Sequence, residues 1–233
     1  MKNIAIIPAR AGSKSIKNKN LRTINGKHLV NLTIDQAIQS NAFHQIHITT
    51  DIVPILESPR TGVIYHKRPD ELATDDALMC DVIYDMIRSS NIPQDSYLWL
   101  LQPTSPFRTK EDFLRISKIL KLKGPASLIS MKDVGAAHPS RTYRIEAGYL
   151  KSFHISNFQN KQDLRPVYIR NGCFYVIRLL SFLEMKTFFI EPCAPYIMDD
   201  VHSVNIDSPL DLVVARVVAK EVLRDGSGRQ KSV

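Results

Sequence analysis

Six cations crowd one short stretch of the chain: Arg10, Lys14, Lys17, Lys19, Arg22 and Lys27. They follow the apolar run of residues 4–9 (IAIIPA), and a turn of small residues, Ala11, Gly12 and Ser13, separates the run from most of them. An apolar run broken by Pro8 and Gly12 reads as a buried strand leading into a turn. In open α/β sheets, ligands bind beyond the carboxyl ends of strands. Small residues in such a turn let backbone N–H groups approach phosphate oxygens closely. Arg10 and Lys19 add the charge that neutralises a phosphoryl group in transfer. The pattern predicts a polyphosphate site, with a solvated basic turn as the competing reading. Two familiar loops do not fit. Ser13 stands where a Walker A loop needs its second glycine, and no Gly-x-Gly-x-x-Gly occurs.

The elements that must position this turn follow from composition and patterning. The chain has 233 residues, of which 44% are hydrophobic and 23% charged. That excludes collagen-like, disulfide-scaffold and wholly disordered classes. One main domain is expected across residues 1–233, large enough to bury its own core. The three cysteines, Cys80, Cys173 and Cys193, are far apart and form no Cys-x-x-Cys pair. They read as buried small hydrophobes in a reducing cytoplasm. The first apolar run is too short for a signal peptide, and no stretch approaches the roughly 20 apolar residues of a membrane span. A cytoplasmic protein without membrane contact is expected. The net charge of +8 points to anionic partners. Nucleic acid is the weaker choice, because the cations concentrate in one turn without basic-aromatic interleaving.

Along the chain, short apolar runs alternate with helical patterns. Residues 4–9, 46–50, 62–65, 97–101 and 126–131 read as strands, and 97–101 (YLWLL) as a fully buried central one. Residues 29–40 carry a moderate helical signal and 76–90 a stronger one, with Met79, Val82, Ile83, Met86 and Ile87 on one face. Thr109 and Asp112 form a capping box for a helix that turns Phe113, Ile116 and Leu120 inward. Ser208, Pro209 and Asp211 open a last helix, whose core stripe is expected at Leu210, Val213, Val214, Val217 and Val218. The fold class is α/β: a mostly parallel sheet with helices on both faces. Residues from about 135 to 170 break the rhythm and read as an inserted dimerisation or lid element. Residues 225–233 read as a frayed polar tail.

Further motifs sharpen the chemistry. Pro8-Ala9-Arg10-Ala11-Gly12-Ser13-Lys14, with Lys17-Asn18-Lys19-Asn20-Leu21, resembles the nucleotide loop of bacterial CMP-sialic acid synthetases, the acylneuraminate cytidylyltransferases. Four more segments match in order: Arg68-Pro69-Asp70-Glu71-Leu72-Ala73-Thr74-Asp75, Leu101-Gln102-Pro103-Thr104-Ser105-Pro106-Phe107-Arg108-Thr109, Asn171-Gly172-Cys173-Phe174-Tyr175, and Val204-Asn205-Ile206-Asp207-Ser208-Pro209-Leu210-Asp211. The resemblance spans residues 3 to about 220. It implies a Rossmann-like nucleotidyltransferase that joins CTP to an acidic nine-carbon 2-keto sugar and releases pyrophosphate. Such a transfer depends on positioning and charge neutralisation more than on covalent chemistry.

The resemblance also implies residue roles. Arg10 and Lys19 match phosphate contacts, while Asn20 and Arg68 match positions near cytosine and ribose, beside the loop of Ala11, Gly12 and Ser13. Gln102, Arg141, Lys161, Arg165, Tyr175, Phe188 and Phe189 match the sugar side, with Arg141 and Lys161 often presented by a partner subunit. Asp207 matches a Mg²⁺-binding aspartate. The chain departs from the family at two places. Met79 stands where some relatives have a serine facing the base, and Asn205 replaces the first aspartate of Asp-x-Asp. Residues 205 and 207 share one side of a strand, so an amide oxygen joins the carboxylate and weaker metal binding is expected. Asp211 reads as a cap instead of a ligand. The seven histidines show no ligand spacing.

The leading function is therefore a cytidylyltransferase for N-acetylneuraminate or a close relative such as legionaminate, acting as a homodimer. The alternatives are a catalytically weak nucleotide or sugar-binding relative, and a cytidylyltransferase for pseudaminate or Kdo.

Overall fold

In the computed structural model, residues 1–152 and 164–222 are described. Lys161, part of the expected insertion and the expected tail lie outside them. The strands are β1 (Lys2–Ala9), β2 (Thr23–Ile24), β3 (Lys27–His28), β4 (Gln45–Thr50), β5 (Ile64–Lys67), β6 (Ser96–Leu100), β7 (Ser127–Asp133), β8 (Tyr143–Glu146), β9 (Tyr149–Ser152), β10 (Tyr168–Arg178) and β11 (Cys193–Ile197). The helices are α1 (Leu29–Ser40), α2 (Val53–Leu56), α3 (Met79–Arg88), α4 (Lys110–Lys123), α5 (Leu179–Met185) and α6 (Pro209–Val217).

Seven strands form one sheet in the order β11-β7-β10-β6-β1-β4-β5. The ladders β6-β1-β4-β5 and β7-β11 are parallel, and β10 runs antiparallel between β6 and β7. Strand β1 is buried on both faces. Ala5, Ile7 and Ala9 meet α1 and α4 in one core, while Ile4 and Ile6 meet α3 and α5 in the other. A run apolar at every position is what a strand covered on two sides requires. The α/β class, with helices on both faces, is as expected. Pro8 is accommodated because β1 leaves the β6 ladder after Ile6, so no N–H is missed on that side.

The capping boxes form as expected. Thr109 and Asp112 open α4, Ser208 and Asp211 open α6, and Phe113, Ile116 and Leu120 are buried. Two expectations need correction. Helix α3 begins at Met79, not near residue 76, because Leu78 is extended; Met79 faces the central cavity and Val82, Ile83, Met86 and Ile87 face the core. Helix α6 buries Leu212 and Ala215, which pack with Ile16, Ile24, Leu29, Phe107 and Ile206. The expected core residues Leu210, Val213, Val214 and Val217 are exposed, Leu210 by 69%. Periodicity locates an apolar stripe, but the smaller stripe fits the narrow gap beside Phe107, and the larger one is left outward.

Between β7 and β10 the chain leaves the sheet. Residues 143–152 form the antiparallel hairpin β8-β9, with Ile145, Tyr149 and Leu150 strongly exposed.

Candidate active site

The carboxyl ends of β1, β5 and β6 open onto one cavity of about 750 Å³. The crevice beyond the carboxyl ends of strands is where an open α/β sheet places its ligands. Arg10, Gly12, Ser13, Lys19, Asn20 and Arg68 line one half, with Met79 between them and the core. Gln102, Tyr175, Asn205 and Asp207 line the other, together with Lys132, Arg170, Asp200 and Asp211.

The nucleotide-side loop is tied down locally. Asn18 takes a left-handed conformation (φ 53°), which Asn tolerates better than most residues, and a 3₁₀ turn follows at Lys19–Leu21. The buried Asn20 donates its Nδ2 to the carbonyl of Arg10 at 2.9 Å, drawing the two ends of the loop together. The Ala11 N–H donates to Asp51 Oδ1 at 2.8 Å, so it braces the loop, while Gly12 and Ser13 face the cavity. Arg10 pairs with Asp75, which also takes Lys14 at 3.4 Å. The Arg10 hydrogen bond holds the Asp75 carboxyl below its ordinary range. Lys19 Nζ lies 3.3 Å from Asp207 Oδ1 across the cavity.

Arg68 is the most constrained of these cations. It is 2% exposed; Nη2 donates to the Thr49 carbonyl at 2.9 Å, and its buried Nε has no hydrogen-bond partner. Burial lowers its pKa to about 10, against the attraction of Asp51. An unsatisfied buried donor costs about 1–3 kcal/mol, and a cation that retains one beside a cavity suits an anionic or carbonyl-rich ligand.

The other half is assembled from distant segments. Strand β10 changes register between Arg170 and Tyr175, and Gly172 in that bulge has φ +80°. A Cβ there would lie 3.4 Å from Asn205 Oδ1, 3.5 Å from Gln102 Oε1 and 3.5 Å from Ser105 Oγ. Those are ordinary contact distances, so the left-handed backbone at φ +80°, and not a lack of space, is what calls for glycine where these three polar groups gather. Beneath the bulge, the buried Asn171 accepts from Ser130 Oγ at 2.6 Å and donates to Ser203 Oγ at 2.8 Å.

Asn205 Nδ2 donates to Asp207 Oδ2 at 2.5 Å, and its Oδ1 accepts from Ser105 Oγ at 3.3 Å. Asp211 Oδ2 accepts from the Asp207 N–H, the Ser208 N–H and Ser208 Oγ at 3.0, 2.7 and 2.8 Å, which is the capping role read from its spacing. Asp207 keeps an exposed carboxylate at the cavity mouth. A hard divalent ion shared with substrate phosphates takes one or two protein carboxylates. Asp207 offers one such carboxylate, while the Asn205 amide turns its nitrogen to Asp207 and its oxygen to Ser105. Among the described residues, no three His, Cys, Asp or Glu side chains are grouped to hold a metal unaided.

A second cavity of about 690 Å³ adjoins the first, and the two share Ile169 and Arg170. Ile129, Met131, Cys193, Ala194, Pro195 and Phe189 make it largely apolar. Phe188 instead packs in the core between Tyr175 and Phe182, with ring centroids 6.3 and 5.2 Å away. Arg141 and Arg165 are exposed outside both cavities, and Lys161 lies outside the described residues. Motif reading gave no role to Asp51, Asp75, Lys132 or Arg170. Asp51 had one usable signal, since it directly follows a strand's carboxyl end.

Comparison with known proteins agrees with this geometry. A cytidylyltransferase family model matches residues 4–160. The chain is 32% identical over 219 residues to the CMP-N,N'-diacetyllegionaminic acid synthase of Legionella pneumophila, covering 91% of this chain and 93% of that protein. It is 33% identical to the N-acylneuraminate cytidylyltransferase of Escherichia coli, covering 94% of this chain but 52% of that longer protein. The chain spans about half the length of that relative. In fold it is similar to a CMP:2-keto-3-deoxy-manno-octonic acid synthetase solved with CTP, at TM-score 0.66 and 16% identity, covering 94% of this chain and 98% of that one. It is likewise similar to a 4-diphosphocytidyl-2C-methyl-D-erythritol synthase, at TM-score 0.63 and 13% identity, covering 93% and 98%. With a cationic loop at the end of β1 and a matching family model over two thirds of its length, the chain belongs to the cytidylyltransferase family of nucleotidyltransferases.

Proposed function

We propose that this enzyme activates an N-acylated, acidic nine-carbon 2-keto sugar with CTP, yielding a CMP-sugar and pyrophosphate. The observation that carries the reading is the junction of two unlike cavities, one cationic and one apolar, at Ile169 and Arg170. The cationic side suits a triphosphate. Arg10 and Lys19 exchange their carboxylate partners, Asp75 and Asp207, for phosphate oxygens, and Gly12 and Ser13 offer backbone donors. Arg68 adds a positive charge on the same side. On the other side, Gln102 and Arg170 orient the sugar acid so that its anomeric hydroxyl lies in line with the α-phosphate. The apolar cavity takes the N-acyl groups and the far end of the sugar. A diacylated acid of the legionaminate type fills such a space better than the shorter Kdo skeleton, which carries no acylamino groups, and the legionaminate synthase among the relatives points the same way.

Mg²⁺ is the metal we assign to Asp207 and Asn205, where it would neutralise phosphate charge during transfer. The protein acts as a homodimer in this reading. The exposed stripe of α6 and the hairpin β8-β9 supply surface for a second copy, whose Arg141 and Arg165 would face the sugar site; Lys161 lies outside the described residues. The three free thiols suit a reducing cytoplasm, and no helix among the described residues is long and apolar enough to cross a membrane.

The test is pyrophosphate release with CTP and Mg²⁺ across a panel of nonulosonic acids plus Kdo. A diacylated nonulosonic acid is expected to give the highest kcat/KM. Release with Kdo alone would overturn the sugar assignment, and no release with any acid would leave a non-catalytic binding protein.

A further inference from the structure

Arg108 is 4% exposed, yet no carboxylate among the described residues forms an ion pair with it. Its guanidinium spends its donors on three backbone carbonyls. Nε donates to Cys173, Nη1 to Ser105 and Nη2 to Gln102, each at 2.7 Å. Its plane rests against Phe174, with Cζ 5.5 Å from the ring centroid. A buried arginine without a counter-ion is costly, so what it holds is informative. Two of the carbonyls belong to the turn after β6, and the third belongs to the β10 bulge. The turn contributes Gln102 and Ser105, which meet Asn205 around Gly172 of the bulge. The Ile206 N–H donates to Thr104 O at 2.9 Å, so the segment before α6 hangs on the same turn.

We infer that Arg108 is a positioning residue for the sugar half of the site: by clamping residues 102 and 105 to residue 173, it sets where Gln102, Ser105 and Asn205 meet. A planar fork reaches three divergent carbonyls at once, and a lysine ammonium on a flexible stem does not reproduce that. The nucleotide loop, held through Asn20, Asp51 and Asp75, does not touch this clamp.

The inference rests on the proposed sugar reaction, so its test has two arms. In the ligand-free full-length protein, hydrogen exchange is followed in Arg108→Lys and Arg108→Met. Residues 102–106 and 171–174 should exchange faster, with β1 and β4 unchanged. In pyrophosphate release with CTP, Mg²⁺ and the preferred acid of the panel, kcat/KM for the sugar should fall by about 10²-fold, as a misplacement near 1 Å produces. KM for CTP should stay within about twofold, a value below the discrimination this contact geometry sets. In a Gln102→Ala background, Arg108→Lys should add little further loss, because both changes act on one contact. Equal rises in both KM values, fully additive losses, unchanged exchange, or failure of both variants to fold would each overturn the clamp in favour of a general folding role. A wild-type protein inactive on every acid would defeat the function reading instead, while the exchange arm still decides whether Arg108 fixes the turn.

Discussion

The two halves of the cavity are built on different principles. The nucleotide half is compact in sequence: Arg10, Gly12, Ser13, Lys19 and Asn20 fall within eleven residues, braced from the end of β4 by Asp51. Its cations already hold carboxylates, Arg10 with Asp75 and Lys19 with Asp207. The sugar half draws Gln102, Tyr175, Asn205 and Asp207 from β6, β10 and the approach to α6, joined by Arg108, Gly172 and Asn171. In the proposed reaction, the loop that grips the triphosphate is specified by neighbours in sequence, whereas the pocket that selects the sugar is a product of long-range packing.

The contrast can be broken at Asp207, where the halves meet through Lys19. Asp207→Ala should lower kcat by about 10²–10³-fold, the range seen when one preorganised electrostatic contact is removed. Steady-state rates at saturating CTP and sugar measure this, and near-normal turnover would take Asp207 out of the reaction.

A smaller effect separates the halves by stability. His47, buried under α3, donates or accepts toward His66 at 2.9 Å and Gln45 at 3.0 Å. Burial, reinforced by repulsion from His66, lowers its pKa to about 4. The folded state thus prefers neutral His47. Its contribution is complete above about pH 6.5 and is lost as the pH falls toward 4, amounting to roughly 2–3 kcal/mol. Urea unfolding at pH 7.5 and pH 4.5 should show a shallower pH dependence in His47→Gln than in wild type. Parallel profiles would refute the assignment.

Gly172→Ala sharpens the sugar side. A side chain at φ +80° costs about 1–2 kcal/mol, which shifts the bulge against which Gln102 and Asn205 rest. The expected result is a loss of about tenfold in kcat/KM for the sugar, with KM for CTP unchanged. Equal effects on both substrates would dissolve the distinction between halves. The mildest change is Asn205→Asp, which restores a second carboxylate beside Asp207. It should lower the Mg²⁺ concentration for half-maximal rate, and an identical Mg²⁺ titration would place residue 205 away from the ion.

Much of this site is legible in the amino-acid sequence. Strand β1 with its cationic turn, the fully buried β6 and both capping boxes depend on runs of neighbouring residues, and local preference and burial pointed the same way. Arg68, Gln102 and Asp207 were found through their motifs. The apolar stripe of α6 misled, because side-chain spacing identifies two candidate faces and the partner surface selects one. Phe188 and Phe189, adjacent in sequence, part company: one enters the core and the other the second cavity.

By itself the sequence determined the fold class, the cationic loop and the chemistry of its ligand, since those depend on neighbours within about a dozen residues and on burial that hydrophobic patterning announces. Only the tertiary structure decided that Arg108 joins three carbonyls, that three polar groups gather around Gly172, and that an apolar cavity opens beside the cationic one. Each of these requires segments about 30 to 100 residues apart to meet, and the distances at which they meet are set by packing, which no local pattern encodes.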